Sequence, residues 1–313
     1  MMIIRQANWL RPRLVREDII KLNQEISLSI LSGKGGTGKT TLAVNMALAL
    51  DNVQLLDADV EEPNDYIFIS PEIEKKEMES VMRLIPEVND DKCTACRKCV
   101  DFCEYNALAM MLDNVLVFEE VCHSCGGCKI VCPENAITEK ESELGKLRHD
   151  SLPDLDFWQG ELNTGEEKAV PVIEKLKTKI DRNKKIIIDS PPGTTCPTIE
   201  AITDTDFTVV VTEPSSFGLH DLKMVIELLN NIEQPFAVVI NRAESDSDYL
   251  IEDYCQAEGI EVLMKIPFSR KIAELYSNGQ PFVYELEGWE DKLKNLYKII
   301  REEAAKYERN NCN

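Results

Sequence analysis

Short apolar runs alternate with amphipathic stretches over most of this chain. Residues 26–31 (Ile-Ser-Leu-Ser-Ile-Leu) read as a buried strand, a glycine-rich loop follows over 32–38, and the spacing predicts a helix over 40–50. The short apolar pattern recurs at 53–56, 186–188, 208–211, 236–240 and 262–266, with helical periodicity between several of these runs, including 219–230 and 248–258. Strands that alternate with helices predict an α/β fold, a doubly wound and mostly parallel sheet covered on both faces.

One region breaks the pattern. Between the second and third predicted strands the apolar periodicity fades, and eight cysteines fall between Cys93 and Cys132. The flanking stretches, 65–90 and 141–167, are rich in Asp, Glu, Asn and Pro, and are expected to be linkers that return the chain to the parent sheet. The expected organisation is therefore an extension over 1–24, a parent domain over 25–88 and 141–313, and an inserted module over 89–140. That module is an internal repeat. Cys93-Thr-Ala-Cys96-Arg-Lys-Cys99-Val-Asp-Phe-Cys103 aligns with Cys122-His-Ser-Cys125-Gly-Gly-Cys128-Lys-Ile-Val-Cys132.

Composition narrows the choice of partners. The chain has 313 residues, 43% of them hydrophobic, and a formal net charge of −21, so a nucleic-acid groove or an anionic membrane surface would repel it at long range. No stretch approaches the roughly 18 apolar residues of a membrane span, and the N-terminus lacks a signal-peptide core, so a cytoplasmic location is expected. A reducing compartment keeps thiols free, which directs the 11 cysteines toward metal ligation. Segment 1–24 places Arg5, Arg11, Arg13, Arg16 and Lys21 around Trp9, Leu10, Leu14, Ile19 and Ile20, but Pro12 interrupts it and it reads as an accessory extension.

Both cysteine runs follow C-x2-C-x2-C-x3-C, a spacing that wraps three thiolates around one face of a four-iron cubane and points the fourth elsewhere. Two [4Fe-4S] clusters are expected. Zinc is the alternative, although four-cysteine zinc sites pair two C-x2-C hooks. His123 reads as a surface residue. Gly33-Lys34-Gly35-Gly36-Thr37-Gly38-Lys39-Thr40, followed by Thr41, satisfies G-x4-G-K-[ST] between a strand and a helix. There, backbone N–H groups meet phosphates, Lys39 reaches the β and γ oxygens, and the Thr40 hydroxyl can ligate Mg²⁺. Two strands end in carboxylates, at Asp57 and Asp59 and at Asp189; capping a turn is a credible alternative role for Asp57.

These motifs together resemble the MinD/Mrp superfamily of P-loop ATPases that contain an inserted ferredoxin domain, whose nucleotide-binding portion is CbiA-like and related to the nitrogenase iron protein. The resemblance covers roughly residues 25–280. In the bacterial ferredoxin arrangement it implies, Cys93, Cys96, Cys99 and Cys132 hold one cluster, and Cys122, Cys125, Cys128 and Cys103 the other. Pro133 follows the last cysteine of the second run as in that pattern, whereas Glu104 takes the place of proline in the first. Lys34 matches the extra lysine of the deviant Walker A motif and implies an ATP-sandwich dimer, with itself or with a similar paralogue. Asp59 would position the attacking water, and Asp189 would hold Mg²⁺ through water. Asn241, Arg242 and Pro267 would receive the adenine of ATP or ADP. The implied activity is ATP hydrolysis coupled to electron transfer to, or metal or cluster maturation of, an unidentified redox or client protein, with an ATP-dependent binding switch as the alternative. Cys196, after Pro191-Pro192-Gly193, is a candidate interface thiol with a structural role as its alternative, and helix 289–307 mixes charges in a way that fits packing or a partner rather than a membrane.

Overall fold

The computed structural model describes residues 25–70, 78–244 and 248–311. The extension 1–24 and Cys312 lie outside the described residues. A nine-stranded sheet forms the frame. Its strands are β1 (Ser27–Leu31), β2 (Val53–Asp57), β3 (Met78–Val88), β6 (Ile137–Ser151), β7 (Leu155–Leu162), β8 (Lys185–Asp189), β9 (Phe207–Thr212), β10 (Phe236–Ala243) and β11 (Val262–Pro267), while β4 (Leu108–Met111) and β5 (Asn114–Val117) make a separate hairpin. The order across the large sheet is β11-β10-β9-β1-β8-β2-β7-β6-β3. From β11 to β7 every pairing is parallel; β6 runs antiparallel to both of its neighbours.

The central strands read as unbroken apolar runs because both of their faces are covered. On one face Leu28, Ile30, Leu55, Ile187, Val209 and Val239 pack under helices Lys39–Ala49 and Trp289–Asn311. On the other, Leu56, Ile186 and Ile188 join the core of helices Val170–Lys177 and Cys196–Ile202, and Val210, Val238 and Ile240 that of Ser216–Asn231 and Tyr249–Glu258. Helix Trp289–Asn311 buries Leu293, Leu296, Tyr297 and Ile300, so it is a packed element of the core. No described helix is long and apolar enough to cross a membrane.

The expected linkers are largely strands. Most of 78–88 and 141–162 pairs into the antiparallel end of the sheet, with Met78↔Arg148 through Val88↔Ile137 in register. Their composition concealed this because only one face is buried: Val81, Arg83 and Ile85 point in, and Met78, Ser80, Met82 and Leu84 point out. On β6 just Ile137, Leu144 and Leu147 are apolar and buried among charged neighbours. The cysteine-rich segment emerges from the tip of this ladder. It has its own small cores, in which Cys99, Leu108, Val115 and Ile137 pack together and Ile85 meets Ala107 and Cys122.

The duplication is visible in the backbone. Ala95, Arg97 and Asn106 take φ of 52°, 64° and 54°, and Ser124, Gly126 and Asn135, each 29 positions on, take 53°, 69° and 48°. Left-handed conformers are costly for most side chains, so their recurrence at equivalent positions marks a demanding local path that both runs follow.

Candidate nucleotide cleft and paired cysteine pockets

The strand-to-helix turn after β1 carries the glycine-rich loop, and its lysine is pulled inward. Lys39 is 5% exposed, with Nζ 2.9 Å from Asp189 Oδ1 and 3.4 Å from Asp59 Oδ2. Burial works against its charge, but Asp189 and Asp59 more than offset this and raise its pKa. Thr40 Oγ1 donates to Asp189 Oδ2 at 2.7 Å. A P-loop lysine and hydroxyl therefore meet the carboxylate at the end of β8, the arrangement a Mg-nucleotide would enter.

Asp57 and Asp59 divide their roles. Asp57 is fully buried and accepts the backbone N–H groups of Asp59, Asn64 and Asp65 at 3.2, 3.0 and 3.1 Å, so it caps the turn that follows β2. Asp59 lies on the cleft wall; burial pushes its carboxyl up to about 6, with Lys39 pulling against the shift and Asp189 adding to it. A carboxylate tuned toward neutrality suits a group that handles a proton of water.

The cleft itself has a volume of about 1080 Å³. Gly35, Gly36, Gly38, Lys39, Thr40 and Thr41 line its floor; Asn241, Arg242, Pro267 and Tyr276 line one side, and residues 162–167 another. Asn241 Nδ2 donates to the Thr37 carbonyl at 2.7 Å and presses on Gly38, whose φ is +97° and where a Cβ would sit 2.0 Å from that nitrogen. Lys34 and Arg242 converge on Glu213 from opposite sides: Lys34 Nζ lies 2.7 Å from Oε1, Arg242 Nη1 3.0 Å from Oε2, and Arg242 Nη2 donates to the Gly36 carbonyl. Gly33 sits at the loop's start, outside the cleft lining. Sequence reading passed over Glu213, although a carboxylate directly after the apolar run of β9 was an available signal.

The eight cysteines separate into two cavities. Cys93, Cys96, Cys99 and Cys132 line one, together with Val88, Met110, Val115 and Ile137. Cys103, Cys122, Cys125 and Cys128 line the other, beside Leu84, Pro86, Phe102, Tyr105 and His123. The fourth cysteine of each run therefore faces the other run's set. Backbone N–H groups approach sulfur at Cys122 (from Ser124, 3.5 Å) and Cys132 (from Ala136, 3.3 Å). Burial pushes the Cys128 thiol up to about 11 and raises Cys99, so these thiolates need a cation to persist. His123 is exposed and stacks on Tyr105 at 3.6 Å, and Glu104 borders the second cavity. Cys255 is buried in the core, and Cys196 is exposed at the start of a short helix.

A buried contact joins cleft and cysteines. Arg83, inward-facing on β3, donates from Nη1 to the Cys122 carbonyl at 3.0 Å and from Nη2 to Glu166 Oε1 at 2.6 Å, and Glu166 lines the nucleotide cleft. Lys168 Nζ adds a bond to the Glu120 carbonyl at 2.8 Å. One cleft wall thus holds the peptide segment that carries Cys122. The sequence does not single out Arg83, because its strand has the composition of a linker; the inward phase of Val81 and Ile85 is the signal that points to it.

Comparison with known proteins bears on the family and the fold. Residues 28–282 match the family described as CobQ/CobB/MinD/ParA nucleotide binding domain. An uncharacterized protein of Methanocaldococcus jannaschii is 28% identical over 274 residues, covering 84% of this chain and 93% of its own. An iron-sulfur cluster carrier protein of Pyrococcus abyssi is 26% identical over 278 residues, 82% of this chain and 78% of that one. Among solved structures, the MinD cell division protein of Aquifex aeolicus superposes with a TM-score of 0.50 at 20% identity, covering 90% of this chain and 95% of that one, a likeness of fold. The profile match spans the P-loop, both carboxylate strand ends and β10, and the chain belongs to the CobQ/CobB/MinD/ParA nucleotide-binding family.

Proposed function

We propose that this protein binds and hydrolyses ATP with Mg²⁺ and couples its nucleotide state to two resident [4Fe-4S] clusters that serve a partner protein. The ATPase portion comprises residues 25–88 and 141–313, and the ferredoxin-like module residues 89–140. Cys93, Cys96, Cys99 and Cys132 would hold one cluster, and Cys103, Cys122, Cys125 and Cys128 the other; when bound, they supply one-electron chemistry. The observation that carries the coupling is the Glu166–Arg83–Cys122 contact, since it ties a wall of the nucleotide cleft to a peptide of the second cysteine set.

In the cleft, Lys39 and the loop N–H groups bind phosphates, Thr40 and Asp189 hold Mg²⁺, and Asp59 orients the attacking water and accepts its proton. Asn241, Arg242 and Pro267 form the base side. Lys34, now held by Glu213, is released toward the nucleotide of a second subunit, a copy of this chain or a paralogue, when the ATP-bound dimer closes. Filling the cleft displaces residues 162–167, and Arg83 passes that displacement to Cys122.

Delivery of a cluster rather than an electron is the second reading. It is favoured by the relatives named iron-sulfur cluster carrier proteins and by the exposure of Cys96 and Cys125. Anaerobic EPR with redox titration of the reconstituted protein, with and without a non-hydrolysable ATP analogue, separates the readings. Two four-iron signals that stay with the protein, one of them shifted by nucleotide, support electron transfer. Transfer of iron and sulfide to an apo-acceptor upon ATP addition would replace it with delivery, and clusters indifferent to nucleotide in both assays would sink the coupling.

A further inference from the structure

Behind the P-loop lysine lies a group of carboxylates that the phosphate-binding motif does not explain. Asp57, Asp65 and Asp189 each bring one oxygen within 4.8 Å of the other two, and the three residues are 0%, 0% and 1% exposed. Two of them are engaged: Asp57 by the backbone of its own turn, Asp189 by Lys39 and Thr40. Asp65 is not. No hydrogen-bond donor reaches either of its carboxylate oxygens, although the side chain is completely buried, and its close polar neighbour is the Asp189 carboxylate, which it can face only through a shared proton or a cation.

Charge makes this arrangement incomplete. Lys39 is the cation in contact with Asp189, and it also faces the partly buried Asp59. One buried ammonium thus stands against four carboxylates, and an unpaired buried carboxylate is strongly unfavourable unless a proton or a metal joins it. The donor set selects among metals, because carboxylate oxygens without sulfur or imidazole suit hard divalent ions. Oxygens bound at about 2.0–2.1 Å for Mg²⁺, or 2.3–2.6 Å for Ca²⁺, lie at most about 4–5 Å apart across the ion, a limit compatible with three oxygens that all lie within 4.8 Å of one another.

We propose that Asp57, Asp65 and Asp189 bind a hard divalent cation of the Mg²⁺ class without nucleotide, with Asp65 as the ligand that a P-loop alone does not supply. The cleft then receives nucleotide already carrying metal beside Lys39. The purpose of this site rests on the nucleotide-binding reading, but its test does not.

The test uses the full chain with its iron–sulfur centres in place, stripped of divalent ions with EDTA and titrated anaerobically with MnCl₂ in the absence of nucleotide. The free-Mn²⁺ EPR signal reports uptake. One Mn²⁺ per chain is expected, displaced by excess Mg²⁺, with Asp65→Asn weakening binding at least tenfold. The substitution removes a buried charge rather than creating one, so the metal-free variant should melt at or above the wild-type temperature while Mg²⁺ no longer raises its melting point. Absence of nucleotide-free uptake by the wild-type chain overturns the proposal even if the variant does not fold. Unchanged uptake by Asp65→Asn or Asp65→Ala overturns it too, because Asp65 would then be a protonated structural acid. A fluorescent ATP analogue that failed to bind would sink the nucleotide reading and leave this one standing.

Discussion

Replacing Arg83 with glutamine separates the coupling contact from the fold that carries it. The Arg83 and Glu166 side chains are 5% and 13% exposed and meet at 2.6 Å. Removing one partner of such a pair typically costs about 3–5 kcal/mol, and Glu166 can recover part of this by turning to the water of the cleft. Adding the lost donor to the Cys122 carbonyl, a total near 3 kcal/mol is expected, or roughly 6–12 °C in melting temperature for a domain of this size. Coupling between sites is typically about 1–3 kcal/mol, and a one-electron centre moves about 59 mV per 1.4 kcal/mol. The second cysteine set should therefore shift by about 40–130 mV between nucleotide-free and ATP-analogue-bound protein. An anaerobic titration of Arg83→Gln should show both centres intact and this shift reduced to less than about a third. If the variant melts lower yet keeps the full shift, the contact is structural and the reasoning fails.

Gly38→Ala should abolish binding of a fluorescent ATP analogue while far-UV circular dichroism stays native: φ of +97° penalises a side chain by about 1–2 kcal/mol, and the new methyl would push Asn241 off Thr37. Lys34→Ala should lower ATP-dependent dimerisation in light scattering by at least tenfold, yet change the monomer's melting temperature by less than about 3 °C, since its 38%-exposed pair with Glu213 is worth at most about 1 kcal/mol. At Asp156, burial raises the pKa but hydrogen bonds from Lys184 and His149 outweigh it and hold the carboxyl below its usual range. A depressed carboxylate contributes stability above its unfolded pKa of about 3.9 that disappears as pH falls through the folded value. Loss of the bonds from Lys184 and His149 in Asp156→Asn should cost about 1 kcal/mol at pH 7, and chemical denaturation should show the gap to wild type closing below about pH 4.

What the sequence disclosed followed from periodicity and fixed spacing. The central strands were legible because burial on both faces leaves runs such as Ile186-Ile187-Ile188 with no polar interruption, and the P-loop because its geometry tolerates few residue choices. The spacing disclosed the two cysteine runs, while the crossed sets of four came only from the resemblance to ferredoxins; the cysteines lining each cavity follow that grouping. The antiparallel end of the sheet was not. A ladder with one solvated face keeps only every second residue apolar, and on β6 charged residues dominate even that pattern. Asp65 and Arg83 were hidden for a related reason. Each is a charged side chain in a buried position set against groups far along the chain, Cys122 and Glu166 for Arg83 and the Asp189 carboxylate for Asp65, so no local pattern identifies it.

The attachment of the cysteine segment constrains how any motion can reach it. A flexible linker would let the segment swing and would dissipate small displacements of the cleft wall. Here β3 and β6 stay paired up to Val88↔Ile137, and both of those residues line the cavity of the first cysteine set. That set sits on the end of the ladder and should move with the sheet. The second set is held differently: Arg83 grips the Cys122 carbonyl and Lys168 the Glu120 carbonyl, and both side chains belong with the wall around Glu166. A displaced wall pulls on one set while the ladder anchors the other, so the response to nucleotide should be unequal. Bound phosphates also act on both sets through their charge, and that field, falling smoothly with distance, would shift the two centres in the same direction and by similar amounts. Unequal shifts that become equal in Arg83→Gln would assign the difference to the wall; equal shifts in the wild-type protein would leave the field as the whole cause.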